Sequence, residues 1–269
     1  MFGKLLKNDL KAQWFPVSPI YFAALIAVVV FEIGAKVLNE GWQAALCCLG
    51  VLGVLLITSV TTIVVVAATF NKTMFGKAGY LTLTLPVKTH SLIASKTISG
   101  LIWVFSVYTF LIGSFILLFH QIKVLMGEQS VNTVDVMLEL FGAPNVKTIV
   151  IGVIFQAILF ISDILLIVQC IHLALTLAQV KPISSFGKFG AIVILFVSVG
   201  VLLSLSGTLS DKLPLNVIVS ETEVLFTSNP PQHSNTMDAS LTNAIFNIVA
   251  SIALHFPVVF LIDKKINLK

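Results

Sequence analysis

The stretch Thr148–Val180, TIVIGVIFQAILFISDILLIVQCIHLALTLAQV, runs for 33 residues with Asp163 as its one Asp, Glu, Lys or Arg. As a helix it would extend about 50 Å at 1.5 Å per residue, well beyond the roughly 30 Å hydrocarbon core of a bilayer. The alternative is a hairpin of two shorter spans, which requires a turn near the middle. Val153–Val180 contains neither Gly nor Pro, so the usual turn chemistry is missing. The stretch therefore predicts one long helix that tilts and projects past the membrane.

Working outward, five further segments reach the length of about 20 apolar residues that a span needs. They are Pro19–Val37, Ala44–Phe70, Ile98–Phe119, Gly187–Leu205 and Ala244–Ile262. The whole chain agrees with them. It has 269 residues, 57% apolar and only 10% charged, where soluble domains carry about 25% charged residues. The expected fold class is all-α: a polytopic integral membrane protein with six transmembrane helices and an N-terminal amphipathic interfacial helix. Residues 1–269 then form a single transmembrane domain, with an interfacial helix at 1–15, an inner loop at 71–97 and an outer loop at 206–243. Cys47, Cys48 and Cys170 all sit inside apolar runs and read as small buried hydrophobes, with no disulfide or metal framework.

Charge placement tests the span count. All 16 basic residues are Lys, and they fall at the ends of apolar segments instead of forming one patch. That argues against a nucleic-acid partner. With the N-terminus in the cytoplasm, twelve lysines fall on inner segments and three, Lys123, Lys147 and Lys212, on outer ones. Such a bias supports six spans with both termini cytoplasmic, and the cell (plasma) membrane is the expected location. No GxxxG seam occurs, and the two three-span halves show no repeat by eye, which weakens an inverted-repeat transporter.

Residues 1–15, MFGKLLKNDLKAQWF, put Phe2, Leu5, Leu6, Leu10 and Trp14 on one helical face and Lys4, Lys7 and Lys11 on another. This pattern suits a helix lying in the headgroup plane. A plain extension with some helicity is the alternative. The inner loop Asn71–Lys96, NKTMFGKAGYLTLTLPVKTHSLIASK, is basic yet not simply polar. Gly76 and Gly79 bracket a turn, Pro86 stops what precedes it, and Phe75, Tyr80, Leu81, Leu83 and Leu85 are too apolar for a solvated loop. They meet either a partner or the protein's own helices and lipid.

This order of elements, and the YLTLTLPV segment followed by Ser95-Lys96, resemble the membrane subunit of type-2 ABC exporters. In particular they resemble small Gram-positive permeases that export, or give immunity to, amphipathic peptides. The resemblance implies a coupling segment that docks in an ATPase subunit, by position Phe75, Gly76, Lys77, Ala78, Gly79, Tyr80, Leu81, Thr82 and Leu83. It implies two copies of a cytoplasmic ABC ATPase, a second permease subunit and an amphipathic, peptide or lipid-like substrate in the bilayer. The chain has no GxxxxGK[ST] loop, because its GK pairs are followed by Leu, Ala and Phe. ATP and Mg would bind on the partner, so the expectation is a permease without its own ATPase site.

Two carboxylates fall within spans. Glu32 lies four residues before Lys36 near the outer end of the first span, a spacing that lets them pair and snorkel. Asp163 has no Lys within eight residues. A lone Asp at mid-bilayer costs roughly 2.5–3.5 kcal/mol on insertion scales, so it is expected to face protein or water, or to be protonated, with Gln156 on nearly the same face. The readings are a structural hydrogen bond between helices, a polar contact in the pathway or a dimer interface, or a proton relay. The last would make the chain an ion- or proton-coupled secondary transporter. A non-transporting immunity or scaffold protein is the third class. His172 falls on the opposite face from Asp163, and His255, just before Pro257, marks a kink more than a ligand. The five histidines lie in five segments and no catalytic or metal motif is present. In the outer loop, Leu215–Phe226 is expected to form a short strand or membrane-dipping element, and Ser228–Ser240 is open to disorder.

Overall fold

The computed structural model describes residues 2–37, 41–76, 79, 87–125, 132–140, 145–181, 183–219, 224–228 and 237–264. Its helices are α1 (Phe2–Val37), α2 (Gly41–Met74), α3 (Thr89–Leu125), the short α4 (Thr133–Leu140), α5 (Val146–Leu177), α6 (Gly187–Lys212) and α7 (Leu241–Lys264). Six of them, all but α4, are long and apolar enough to cross a membrane. The fold is therefore all-α and polytopic. The 33-residue stretch is one undivided helix from its start to Leu177, with residues 178–180 turning out of it. Asn145 starts α5 with extended backbone, its side-chain oxygen accepting from the Thr148 N–H at 2.9 Å, an ordinary N-cap.

The spans assemble as two groups of three. In the first, α1, α2 and α3 pack on one another; in the second, α5, α6 and α7 do so. The groups meet where α5 touches α2 and α3, and where α3 touches α7. Gly100 of α3 sits at the centre of that meeting. A Cβ there would stand 3.0 Å from Val66 Cγ1 of α2 and 3.4 Å from Val168 Cγ1 of α5. A residue without a side chain lets three backbones converge, which is how helices pack in lipid. Around this point Val66, Val104, Ile164 and Val168 form a buried core. A second core, of Phe70, Met74, Leu92, Ile93, Val258, Val259 and Ile262, closes the end of the bundle that carries the N-terminus, with Leu5 and Phe75 packed on it. α6 is the most peripheral span: its Phe189, Phe196, Val197 and Leu203 are all exposed at the chain's surface, as a lipid-contacting helix requires.

Two features depart from expectation. The first is the N-terminal segment. It is not a separate interfacial helix: α1 is unbroken for 36 residues, about 54 Å at 1.5 Å per residue. Pro16 and Pro19 lie inside it, where each removes one backbone bond without ending the helix. The reason is the polar face. Asp9 and Gln13 turn into the protein against α3, so the early turns extend the first span and dock on a neighbour. The second departure is at the opposite end of the bundle. Strands β1 (Asn216–Val219), β2 (Val224–Thr227) and β3 (Met237–Ser240) form an antiparallel sheet in the order β2-β1-β3. Val217 pairs with Phe226 on one side and Ala239 on the other, and it is fully buried. The strand expected within Leu215–Phe226 is present as a hairpin. Residues 237–240, where disorder was an option, supply its third strand and lead straight into α7.

Candidate functional site

The inner loop is built on rigid flanks. At the end of α2, Phe75 stacks edge-on against Phe70 at 5.9 Å between ring centroids and packs on the buried core. Gly76 and Gly79 are required by close approach. A Cβ on Gly76 would stand 2.5 Å from the Lys72 carbonyl oxygen, and one on Gly79 would collide with that of Met74. The Gly79 N–H donates to the Gly76 carbonyl at 2.8 Å. The glycines thus allow the chain to turn tightly on its own helix end. Lys77, Ala78, Tyr80, Leu81, Thr82 and Leu83 lie outside the described residues.

On the far flank, Ser95 and Lys96 both hold one carboxylate. Lys96 Nζ donates to Asp9 Oδ1 at 2.9 Å and Ser95 Oγ donates to Asp9 Oδ2 at 2.6 Å. The Lys96 and Asp9 side chains are only 5% and 14% exposed. The contacts continue along both helices. Gln13 Nε2 donates to Ser99 Oγ at 3.3 Å, and the Tyr21 hydroxyl meets Ser106 Oγ at 2.6 Å. Positions 9, 13 and 21 of α1 therefore match 95, 99 and 106 of α3 in rising order, so these two helices run parallel. Trp14 and Trp103 cross the same seam with centroids 5.7 Å apart.

Behind the ladder lies His172 of α5, fully buried and stacked on Phe70 at 4.0 Å. Thr97 donates its hydroxyl hydrogen to the Ile93 carbonyl at 3.0 Å. Its oxygen is then free to accept from Gln169 Nε2 and His172 Nδ1, each at 3.4 Å. That network places a proton on Nδ1 and leaves Nε2 without a partner. At the same end Thr89 donates to Asp263 Oδ1 at 2.6 Å, and His90 Nδ1 lies 3.3 Å from His255 Nε2. His255 thus pairs with a second histidine. α7 runs on through Pro257 to Lys264. No group of three or more His, Cys, Asp or Glu that could hold a metal occurs among the described residues.

Asp163 faces a different region. Asn247 Nδ2 of α7 donates to its Oδ1 at 2.6 Å, an interhelical bond in the most extensive helix contact of the chain. The residue itself is exposed on a cleft of about 350 Å³ bounded by α5, α6 and α7. Gln156 is exposed and does not join it. Glu32 and Lys36 are on α1, but their side chains lie outside the described residues. Asp9, Gln13, Ser99 and Asn247 escaped the sequence reading. The available signal was spacing: Asp9/Gln13 and Ser95/Ser99 each recur at i, i+4, and Asn243/Asn247 do the same inside an apolar span.

No protein-family model, curated protein or solved structure matches this chain.

Proposed function

We propose that this chain is the membrane subunit of an ATP-driven ABC exporter, moving an amphipathic peptide or lipid-like substrate out of the cell. It sits in the plasma membrane with both termini cytoplasmic, beside a second permease subunit and above two copies of a cytoplasmic ATPase. The type-2 permease resemblance supplies the class. The observation that supports it most directly is the anchoring of the inner loop. Its first flank is fixed by Phe70, Met74 and Phe75 in the buried core, and its second by Ser95 and Lys96 on Asp9. A partner that pushed on these flanks would move α1, α2 and α3 together, because one flank is packed and the other ion-paired into the bundle. Rigid-body motion of packed helices is the usual way a local push becomes a global change of state.

The apolar loop residues Tyr80, Leu81 and Leu83 are the anchors for the ATPase groove; aromatic and aliphatic anchors ringed by polar groups are how compact interfaces gain affinity. Phe75 leaves this set, since its ring is used inside the bundle. The test is co-purification of an ATPase encoded beside this chain, with ATP hydrolysis measured in nanodiscs. Tyr80→Ala/Leu83→Ala should release the ATPase or uncouple hydrolysis from export while the six spans still insert. If no ATPase co-purifies, or if the double variant exports normally, the exporter reading is wrong.

A further inference from the structure

The cleft between α5, α6 and α7 is chemically lopsided. Its walls are apolar, with Ile167 on α5 and Val199 and Leu203 on α6. Its polar groups are Asp163, Ser206, Asn243 and Asn247. Asp163 Oδ1 takes one hydrogen bond from Asn247, and no lysine pairs with this carboxylate among the described residues. The carboxylate forces the Asn247 amide to present its NH2 group, since two facing oxygens would repel. Asn247 Oδ1 is consequently left buried without a donor, in a residue only 3% exposed. The neighbouring Ser206 hydroxyl gives its hydrogen to Asn243 Oδ1 at 3.0 Å, so Ser206 Oγ too has only lone pairs to offer. An anionic group beside a hydroxyl that offers only lone pairs, with no cation on the lining among the described residues and an apolar wall around them, is a site lacking its counter-charge.

We propose that this cleft binds a primary ammonium group carried on an apolar body. The ammonium supplies positive charge and three N–H donors to match the acceptors. A bare metal ion is disfavoured by the space, about 350 Å³, which is the volume of about twelve waters and falls within the roughly 300–1,000 Å³ of small-molecule pockets. The apolar part of the ligand lies against Ile167, Val199 and Leu203. Asp163 is 17 residues from the start of α5, about 25 Å along the helix, so the ammonium is recognised deep in the span. This inference concerns binding by the chain itself and stands whether or not an ATPase partner exists.

The same ammonium occurs on free amphipathic amines and on the phosphatidylethanolamine headgroup. The probe is tritiated decylammonium, measured on the full-length protein in phosphatidylglycerol nanodiscs, with empty nanodiscs subtracted. Saturable binding is expected. It should weaken roughly tenfold or more in Asp163→Asn, as loss of a charge-assisted bond implies, and disappear in Val199→Phe, which fills the cleft with the polar pair intact. Decyltrimethylammonium, equally charged but without N–H groups, should compete at least tenfold less well than decylammonium. Asp163→Ser and Leu203→Phe replace either variant if it does not fold. Competition from added phosphatidylethanolamine would assign the occupant to lipid; its failure to compete would assign it to free amines. Absence of saturable binding, unchanged affinity in Asp163→Asn, survival of binding in Val199→Phe, or equal competition by the trimethyl compound would each overturn the proposal.

Discussion

Asp9 and Lys96 form an ion pair across 2.9 Å between the first turns of α1 and the first turns of α3, with both side chains largely removed from the surface. Ser95 adds a second bond to the same carboxylate. Removing one partner of a buried pair strands the other charge, a loss of about 3–5 kcal/mol. Lys96→Met should therefore loosen α1 from α3. Trp14 and Trp103 straddle the seam, so tryptophan fluorescence during thermal unfolding reports the docking directly. Lys96→Met is expected to lower the midpoint, and Asp9→Asn added to it should recover part of the loss. Additive losses in the double variant would show that the pair is not coupled.

Gly100 offers a test of the central packing. Its missing Cβ would stand 3.0 Å from Val66 Cγ1, so Gly100→Leu overpacks the crossing, at about 1–3 kcal/mol or more. Gly100→Ala should cost less, and Val66→Ala alongside it should restore stability beyond what either single change predicts. Detergent-solubilised thermal stability measures this. Full tolerance of leucine at position 100 would contradict the convergence of α2, α3 and α5.

Phe75 is expected to matter for folding and not for partner contact. Burying a phenylalanine contributes about 1.5–3 kcal/mol when complete, and this ring is half-buried on Phe70. Phe75→Ala should lower the unfolding midpoint, and Phe75→Leu should largely restore it. Tyr80→Ala should leave the midpoint where it was. A Phe75→Ala variant as stable as the parent but unable to hold the ATPase would return Phe75 to the interface.

The lysine bias predicts a sidedness that labelling can check. In a background free of Cys47, Cys48 and Cys170, single cysteines at Asp135 and Ser228 should react with an impermeant maleimide on intact cells. Cysteines at Lys77 and Lys265 should react only after permeabilisation. Labelling of position 77 from outside would invert the orientation.

The spans were readable because each is an apolar run of the length a bilayer demands, and because α5 contains no turn residue to divide it. The docking of α1 was not readable. Phe2, Leu5 and Trp14 make a face that suits lipid equally well, and only the match between Asp9/Gln13 and Ser95/Ser99 on a distant helix shows which face turns inward. Tertiary pairing of two i, i+4 polar steps leaves no trace in hydropathy. The third strand was hidden for a related reason. Met237–Ser240 has weak strand propensity and gains its structure from pairing with Asn216–Val219. Asn247 was passed over because asparagine carries no charge, although it is the group that fixes Asp163.

The parallel alignment of α1 and α3 also carries a time. Asp9 precedes Lys96 by 87 residues, and at synthesis rates of about 5–20 residues per second the lysine emerges roughly 4–17 s after the carboxylate. Throughout that interval Asp9 and Gln13 have no counterpart in the nascent chain. A helix with Lys4, Lys7, Asp9, Lys11 and Gln13 along its early turns has one comfortable place to wait, the headgroup layer. α1 can pack on α2 as soon as the second span is made, but docking of its early polar turns is completed only when the third span arrives. Chains arrested after the second span should leave a small environment-sensitive label at Gln13, which is buried against Ser99 in the full chain, in a water-accessible setting, and extension through the third span should withdraw it.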